Sequence, residues 1–442
     1  MPQDRRPGWA CRRPWVFGIV LAVAGFAWFW FWRSNQFTGG DSEYWERDID
    51  GGVWFRKRQM LSFALAQLTY RVGHEVGGWT PRLALNFTSC LGGALALVAL
   101  WRLYAGHRGW GWSLLLAGTA GFTTIFYGHI EIYAVPAAAF LLHLLAIERS
   151  LQGRWPVSAV LATFALTMAF HLVILFALPA LALVMVAEVR RRGLGWPQWA
   201  RLLVGAGAFA AVWMAFSRLG HGYGFRDYNF THPPSEMLRR PWLILHDPDW
   251  RLDAKFAFWN AGVAAVLGPV GLLTHGRQRR AVYLAAYLAC FLVFSFVWRA
   301  QAGEADFDLF AFAWIVAVVA FAGYVWESRG RVLWVGLALG VNVGLFLVRP
   351  VVFSEFPRRG YGVIEIEGLE VAPEGRALLD ERLTLRGSNR FIPAGAHEIA
   401  VHAPPGPTVR AAVNLKAGER LRYRYDGERL ELIERPGERD VR

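Results

Sequence analysis

The sequence has few cysteines, few lysines and none of the short signatures that reveal common enzymes. Its three cysteines, Cys11, Cys90 and Cys290, lie far apart and show no paired or metal-binding spacing, so neither a disulfide framework nor a zinc site is supported. The sequence contains no phosphate-binding loop, dinucleotide-binding fingerprint, nucleophile elbow or repeat of fixed period. It therefore offers no support for a nucleotide-binding or serine-hydrolase site.

Charge is also scarce, and apolar residues are abundant. Only 18% of the 442 residues are charged, 55% are hydrophobic, and the mean hydropathy is +0.28. These values are typical of a polytopic membrane protein. The net charge of +13 comes from 47 basic residues, of which only 3 are lysine, against 34 acidic ones. In a membrane protein such an excess reflects the positive-inside rule, so no nucleic-acid partner is expected.

Apolar runs predict eleven membrane spans. A single helix over residues 110–148 would be about 58 Å long, twice the hydrocarbon core, so the chain must turn at the polar break Gly128-His129. A helix over residues 156–188 would be about 50 Å long, and a second turn is predicted near His171. The predicted spans are 15–33, 82–104, 109–127, 131–148, 156–170, 172–188, 199–218, 256–275, 281–298, 308–326 and 332–349.

The placement of arginine supports this count. With the N-terminal arginines inside, eleven spans put every short basic loop on the same side, as the positive-inside rule requires. The prediction is a bacterial inner-membrane protein with a cytoplasmic tail and an extracytoplasmic C-terminal region. Its parts are a tail at 1–14, a transmembrane domain at 15–350 with outer loops at 34–81 and 219–255, and a C-terminal domain at 356–435.

The predicted outer face collects the chemically informative side chains. Five carboxylates lie within residues 41–50, directly after the first span, where they would be costly beside lipid and normally face water, a cavity or a partner. Histidines and further carboxylates fall on the same side although only arginine was used to assign it. These residues are His129, Glu131, His171, Asp306 and Asp308.

Two segments outside the spans have recognisable patterns. In the first outer loop, apolar residues recur at helical spacing from Met60 to Val72, after the basic residues 56–58. This pattern predicts either an interfacial helix lying on the membrane or an ordinary packing helix. Residues 356–435 alternate short β-type runs with Gly and Pro turns, which predicts a small all-β sandwich. That domain shows no catalytic grouping, and an accessory or purely structural role is expected.

The order of these motifs resembles the GT-C superfamily of membrane glycosyltransferases, and within it the bacterial branch grouped with protein O-mannosyltransferases and lipopolysaccharide glycosyltransferases. The resemblance extends over residues 15–350, and the C-terminal domain is loosely similar to PEGA-type repeats around residues 392–401. The stretches that carry the GT-C resemblance are 40–45 (GDSEYW), 126–133 (FYGHIEIY), 170–172 (FHL) with 178–180 (LPA), and 306–311 (DFDLFA).

The resemblance implies an inverting transfer of sugar from a polyprenyl-phosphate donor to a lipid, glycan or protein acceptor at the extracytoplasmic face. In the family an acidic residue of the first outer loop is the general base, which matches Asp41 first and Glu43 second. The chemistry agrees, because a hydroxyl that attacks a sugar carbon must lose its proton, and a carboxylate within reach can accept it. The remaining carboxylates of the run fit a solvated face or helix-cap charges: Glu46, Asp48 and Asp50.

The leaving phosphate and the acceptor need further contacts. Arginine binds phosphate through a bidentate fork, so Arg47 and Arg58 are candidates, although both fit snorkelling to lipid headgroups equally well. A divalent cation is a further possibility, because carboxylate oxygens are its preferred ligands. The other candidates for binding substrate are His129, Glu131, His171, Asp306 and Asp308, and the candidates for a metal are Asp306, Asp308 and His129. The structural alternative is a hydrogen-bonded histidine for His129 and His171 and a helix-cap acid for Asp306 and Asp308.

Two other functions compete with transfer. A flippase for lipid-linked saccharide would carry ionisable residues at the bilayer midplane and related halves, and acidic residues are nearly absent from the centres of the spans. A catalytically inactive scaffold would use the β domain to bind a cell-envelope partner. Replacing Asp41 by asparagine separates the scaffold from the transferase, because only the transferase would lose activity while the protein stays folded.

Overall fold

The computed structural model describes most of the helical region and most of the C-terminal sheets. The described residues form two compact units, one ending at Val348 and the other beginning at Arg349. They are residues 14–33, 42–105, 107, 109–130, 132–193, 195–219, 239, 250–298, 308–328, 330–355, 361–368, 376–380, 383–385, 388–393, 395–402, 407–416 and 419–434.

The first unit is helical. Short 3-10 helices over Gly121–Phe126, Leu172–Ala177 and Val325–Glu327 interrupt the α-helical pattern. The described α-helices are α1 Pro14–Phe31, α2 Ser42–Asp50, α3 Met60–Gly77, α4 Pro81–Tyr104, α5 Trp110–Gly118, α6 Ala134–Leu151, α7 Val157–Phe170, α8 Leu178–Arg191, α9 Trp196–Leu219, α10 Trp250–Ala261, α11 Ala264–Thr274, α12 Arg279–Val297, α13 Ala311–Tyr324 and α14 Arg331–Glu355.

The predicted fold class is confirmed, since the chain is a multi-pass helical membrane protein with a small C-terminal β domain. Each of the eleven predicted spans contains helix. By length and apolar composition, six described segments can cross a membrane, and a seventh forms if α10 and α11 count as one broken span. α7 and the segment Ala311–Glu327 are apolar but shorter. The six segments are α1, α4, α6, Leu172–Arg191, α12 and the part of α14 up to Val348.

Two predicted spans are interrupted by close backbone packing that the sequence does not reveal. The span at 109–127 breaks after α5, and its continuation as a 3-10 helix brings Gly121 against α10. A Cβ at Gly121 would lie 1.6 Å from the Trp259 carbonyl oxygen, so only glycine fits. The span at 256–275 bends by 84° between α10 and α11. The bend lies at Gly262, whose φ of 53° is in the left-handed region that favours glycine.

Helix α13 lies in the interior of the first unit. Most of its side chains are buried, and it packs against α11 and α12. A Cβ at Gly268 of α11 would lie 2.3 Å from the Ala317 carbonyl oxygen, so the two helix backbones approach as small residues permit in membrane helix pairs. This packing fixes the start of α13, where Asp308 lies, relative to the rest of the bundle.

Helix α3 has features of both predicted alternatives, the packing helix and the interfacial helix. One face packs into the unit through Phe63 and Ala66, which are almost completely buried. The other face leaves an apolar stripe exposed, consisting of Leu61, Leu68, Val72 and Val76. The helix therefore packs and also presents an apolar stripe of the kind that rests on lipid. Met60, expected on the lipid face, is instead buried.

The second unit contains two four-stranded sheets with strand orders β4-β1-β7-β8 and β3-β2-β5-β6. β1 and β7 pair in parallel, and the other neighbours are antiparallel. Buried residues of both sheets form one apolar core, as in a β-sandwich. The strands are β1 Tyr361–Glu367, β2 Arg376–Leu379, β3 Leu383–Leu385, β4 Ser388–Pro393, β5 Gly395–His402, β6 Val409–Leu415, β7 Arg420–Tyr425 and β8 Leu430–Glu434. The domain boundaries proposed from the sequence stay a prediction.

Candidate active site

Two residues predicted for the site, 179 positions apart in the chain, are hydrogen bonded to each other. The His129 Nε2 atom lies 2.6 Å from the Asp308 Oδ2 atom, and the exposed side-chain fractions are 4% and 0%. The second oxygen, Asp308 Oδ1, accepts a hydrogen bond of 2.7 Å from the Leu309 backbone N–H. Asp308 thus holds the turn before α13 as well as the imidazole ring. Capping the following helix, the structural alternative considered for Asp308, is therefore only part of its role.

The turn that carries His129 depends on a glycine. Gly128 has a φ of 74°, and a Cβ there would lie 2.8 Å from the Arg33 Cβ atom and 3.5 Å from the Asn86 Oδ1 atom. The close packing brings the end of α1 and the first turns of α4 against the turn at 127–129. Together with Asp308, these residues form a polar cluster where four segments of the chain meet.

The first outer loop packs directly beside this cluster. Trp45 and Ile49 of α2 share an apolar cluster with Ile130 and Ile132, the residues on either side of position 131. Phe63, Ala66 and Leu85 complete that cluster. Helix α2 begins one residue after Asp41. The segment with the predicted general base is therefore joined to the segment with His129.

Three of the five first-loop carboxylates have partners. Glu46 forms a 2.8 Å ion pair with Arg82. Asp48 pairs with Arg56, whose guanidinium also lies 4.6 Å from the centre of the Trp45 ring. Asp50 accepts a 3.2 Å hydrogen bond from the Tyr70 hydroxyl. These contacts agree with the supporting role expected of Glu46, Asp48 and Asp50.

Several predicted site residues lie outside what the structure describes. Asp41, Glu131 and Asp306 are outside the described residues, as are the side chain of Glu43 and the outer loop around residues 220–238 and 240–249. Their roles stay predictions. Arg47 is an exposed residue of α2. The guanidinium of Arg58 lies 5.9 Å from the centre of the Trp298 ring.

His171 lies in the break between α7 and the following 3-10 helix. Its Nδ1 atom accepts a 3.0 Å hydrogen bond from the Val173 N–H, and its Nε2 atom lies 3.3 Å from the Gln59 side-chain amide. Burial, and secondarily the charge of Arg58, lower the pKa of His171 to about 3, so the ring is neutral. These bonds attach the start of α3 to the break, which is the structural alternative considered for this residue. Its part in substrate binding stays a prediction.

The described residues give no support for a bound metal. They contain no group of three histidine, cysteine or acidic side chains arranged to hold an ion. The candidate set included Asp308 and His129, but each Asp308 oxygen already accepts a hydrogen bond within the protein. A divalent cation at this site therefore stays a prediction that depends on Asp306, and no step below involves one.

The sequence analysis missed two groups of polar residues. The first contains Asn86 Oδ1 and Trp45 Nε1, buried atoms with no hydrogen-bond partner in the part of the chain that the structure describes. From the sequence, Asn86 could have been identified as an amide side chain in the first turns of an apolar span. The second lies inside the bundle, where His143 is 3.1 Å from the Thr163 hydroxyl and 2.6 Å from the Tyr287 hydroxyl. This group could have been identified from the sequence by the single histidine within a predicted span.

The network of His143, Thr163 and Tyr287 makes a prediction about stability. Tyr287→Phe is expected to lower the free energy of unfolding by about 1 kcal/mol, because hydrogen bonds between membrane helices contribute on that scale. His143→Ala removes both bonds and leaves a cavity, so its effect should be larger, about 3 kcal/mol. Thermal unfolding in lipid nanodiscs measures both. Ser295→Ala is the control, since that hydroxyl bonds only within its own helix. An equal loss in all three variants would contradict the prediction.

The fold and the cluster thus define a multi-pass membrane protein with a polar site where the first loop meets the bundle. No family model and no curated protein matches the chain. Matching solved structures include ArnT from Cupriavidus metallidurans bound to undecaprenyl phosphate, with 16% identity, a TM-score of 0.47, and coverage of 77% of this chain and 65% of that one. ArnT in the apo state matches with 18% identity, a TM-score of 0.45 and the same coverage.

A third match is the oligosaccharyltransferase of Archaeoglobus fulgidus tethered with an acceptor peptide. It has 14% identity, a TM-score of 0.40, and coverage of 78% of this chain and 55% of that one. The chain therefore spans less than two thirds of the length of each of these proteins. Their names agree with the resemblance found in the sequence. With TM-scores below 0.5, the agreement does not assign the family, and the PEGA-type likeness likewise stays a prediction.

Proposed function

We propose that the protein is a membrane glycosyltransferase that moves a sugar from a polyprenyl-phosphate donor to an acceptor at the extracytoplasmic face of the bacterial inner membrane. The observation that carries the proposal is the meeting of the His129–Asp308 pair with the first outer loop. Two of the four stretches that resemble the GT-C superfamily, 126–133 and 306–311, are joined by a buried hydrogen bond. A third stretch, 40–45, includes the start of helix α2, which packs against the 126–133 stretch.

The first-loop carboxylates have different roles in the proposed reaction. Glu46, Asp48 and Asp50 are engaged with Arg82, Arg56 and Tyr70. These three carboxylates hold the first loop in place through contacts within the protein. The proposal therefore keeps the general base that the resemblance implies, Asp41, with Glu43 as the second candidate.

In the proposed reaction the acceptor hydroxyl attacks the anomeric carbon as its proton passes to Asp41. The bond between that carbon and the phosphate oxygen breaks, and the phosphate leaves with the electron pair. Attack opposite the leaving group inverts the anomeric configuration. His129 contacts the substrate, and Asp308 is a positioning residue that fixes its ring. Arg47 and Arg58 are assigned to the donor phosphate because guanidinium groups bind phosphate strongly.

One observation favours the flippase alternative and another disfavours it. His143 is an ionisable side chain in the middle of a span, as a transporter requires. However, both of its nitrogens contact neighbouring hydroxyls, and it is completely buried. Such a histidine joins helices and does not line a path. Transfer is therefore favoured over transport.

The test uses the full chain in nanodiscs with a panel of synthetic undecaprenyl-phosphate hexoses and pentoses, and a bacterial envelope extract as acceptor source. We expect one donor to be consumed, with release of undecaprenyl phosphate and a new glycosylated product detected by mass spectrometry. Consumption no faster than in heat-inactivated protein would contradict the proposal. In liposomes, movement of a labelled donor across the bilayer without consumption would instead identify a flippase.

A further inference from the structure

A groove of about 600 Å³ lies beside α3, and none of the residues that line it is assigned to catalysis. Its walls are formed by the end of α2, the turn that follows, and one face of α3. The groove contains side chains that the proposed reaction does not use. Among the residues that the structure describes, its polar lining consists of Asp50, Gln67, Tyr70, Arg71, His74 and Glu75.

The shape of the groove is fixed by hydrogen bonds behind its surface. Gln67 is almost completely buried, and its amide nitrogen, in the orientation that satisfies both partners, donates to the Ile49 and Val53 carbonyl oxygens at 3.0 and 3.2 Å. The Tyr70 hydroxyl donates to Asp50 across the groove. These bonds hold the end of α2 against α3, so the cavity exists before any ligand binds. A preformed cavity avoids the cost of ordering its walls.

The lining offers both hydrogen-bond donors and acceptors. The guanidinium of Arg71 lies 5.2 Å from the centre of the Trp54 ring, which orients its N–H groups. The Nδ1 atom of His74 lies 3.1 Å from the Trp79 carbonyl oxygen, to which it must donate. The Nε2 atom is the ring nitrogen left for a ligand. Glu75 adds a carboxylate. Alternating donors and acceptors suit hydroxyl groups, each of which can donate and accept.

The charges disfavour an anionic ligand. Asp50 and Glu75 contribute two negative charges, and Arg71 contributes one positive charge. A phosphate or carboxylate in the groove would lie beside these two carboxylates and be repelled by them. A neutral, hydroxyl-rich ligand meets no such penalty. The groove therefore differs from the phosphate-binding arginines assigned to the donor.

One edge of the groove is apolar. Val72 and Val76 line it and are exposed by 57% and 85%, and they continue the stripe of Leu61 and Leu68 along α3. An exposed apolar stripe on a helix of a membrane protein is stabilised by contact with lipid. The groove therefore has an apolar edge that suits a ligand attached to lipid.

We propose that this groove binds the neutral saccharide headgroup of the acceptor. The inference rests on the proposed function and names the substrate class of that site. Helix α2 links the groove to the catalytic segment, with Asp50 at one end and Asp41 one residue before the other. The helix is about 12 Å long, which is longer than one sugar ring. A headgroup that fills the groove and also reaches the start of α2 therefore contains more than one sugar.

The experiment uses the full chain in nanodiscs and an array of neutral mono- to tetrasaccharides. Binding to at least one oligosaccharide is expected, with little binding of the monosaccharides. The double variant Arg71→Gln/Glu75→Gln should weaken that binding at least 10-fold, because it removes the guanidinium donors and one charged acceptor from the lining. Glu431→Gln is the matched control, an exposed carboxylate of the second unit, and should bind as the unmodified chain does.

No binding to any array sugar, or equal binding by the double variant and the unmodified chain, would overturn the proposal. The source of the saccharide is resolved by presenting the bound sugar free and on a lipid anchor in the same nanodisc. Tighter binding of the anchored form assigns the site to a glycolipid, and equal binding assigns it to a soluble glycan. The double variant should still bind undecaprenyl phosphate as the unmodified chain does. If only the groove proposal is wrong, the protein still consumes the donor. If the proposed transferase function is wrong, no donor is consumed.

Discussion

Replacing Asp41 by asparagine is expected to reduce sugar transfer at least 100-fold while the protein stays folded. The amide has the size of the carboxylate but cannot accept the proton of the acceptor hydroxyl, and general-base catalysis contributes about 10²- to 10⁴-fold. Asp41 lies in a loop segment predicted from the sequence to face water, so the thermal midpoint should change by no more than about 2 °C. Initial rates of undecaprenyl phosphate release measure the activity.

Asp48→Asn is the matched control for this variant, because it makes the same chemical change seven residues away. The variant breaks an ion pair with Arg56 that is less than one-fifth exposed, so it should lower the free energy of unfolding by about 1 kcal/mol. At least a third of the transfer activity should remain. If Asp41→Asn keeps its activity and Glu43→Gln loses it, the base is Glu43. If both variants keep their activity, neither residue is the base.

The second large effect is expected from the buried pair of His129 and Asp308. Asp308→Ala leaves the buried imidazole and the Leu309 N–H without their acceptor. Removing one partner of such a pair is expected to lower the free energy of unfolding by about 3 kcal/mol. Transfer should fall at least 10-fold even at temperatures where the variant is fully folded, because His129 loses its fixed orientation.

A double-mutant cycle separates this coupling from the general cost of each substitution. Combining Asp308→Asn with His129→Gln should give a coupling energy of about 1–3 kcal/mol in unfolding experiments. The exposed pair of Glu46 and Arg82 is the comparison, with an expected coupling below about 1 kcal/mol. A coupling near zero for His129 and Asp308 would show that their hydrogen bond stabilises nothing. The positioning role would then be wrong.

Much of the helical architecture was predictable because hydrophobic length is a strong signal in a membrane protein. Runs near 20 residues fixed α1, α4, α6 and α12 within a few positions, and the polar break at Gly128-His129 marked a turn. The predicted spans were wrong where the backbones of two helices are in close contact. The break after α5 and the bend at Gly262 depend on contacts with Trp259 and with distant helices, which no local pattern encodes.

The hydrogen bond between two of the predicted site residues was not predictable from the sequence. Arginine placement assigned His129 and Asp308 to one face, yet it could not show that they form a hydrogen bond across 179 residues. The groove beside α3 was missed because its residues repeat with helical spacing and resemble any solvated helix face. Its shape comes from Gln67 and Tyr70 reaching the end of α2, which requires the tertiary fold.

The internal hydrogen bonds of His143 also constrain how the protein is made. Thr163 follows His143 by 20 residues in the chain, whereas Tyr287 follows it by 144. At a synthesis rate of about 5–20 residues per second, α6 reaches the membrane roughly 7–30 s before the tyrosine that completes its bonding. During that interval the histidine has only the hydroxyl of the next helix as a partner. Insertion of α6 and α7 as a pair is therefore favoured over insertion of α6 alone, and the order of synthesis matches the order in which the bonds form.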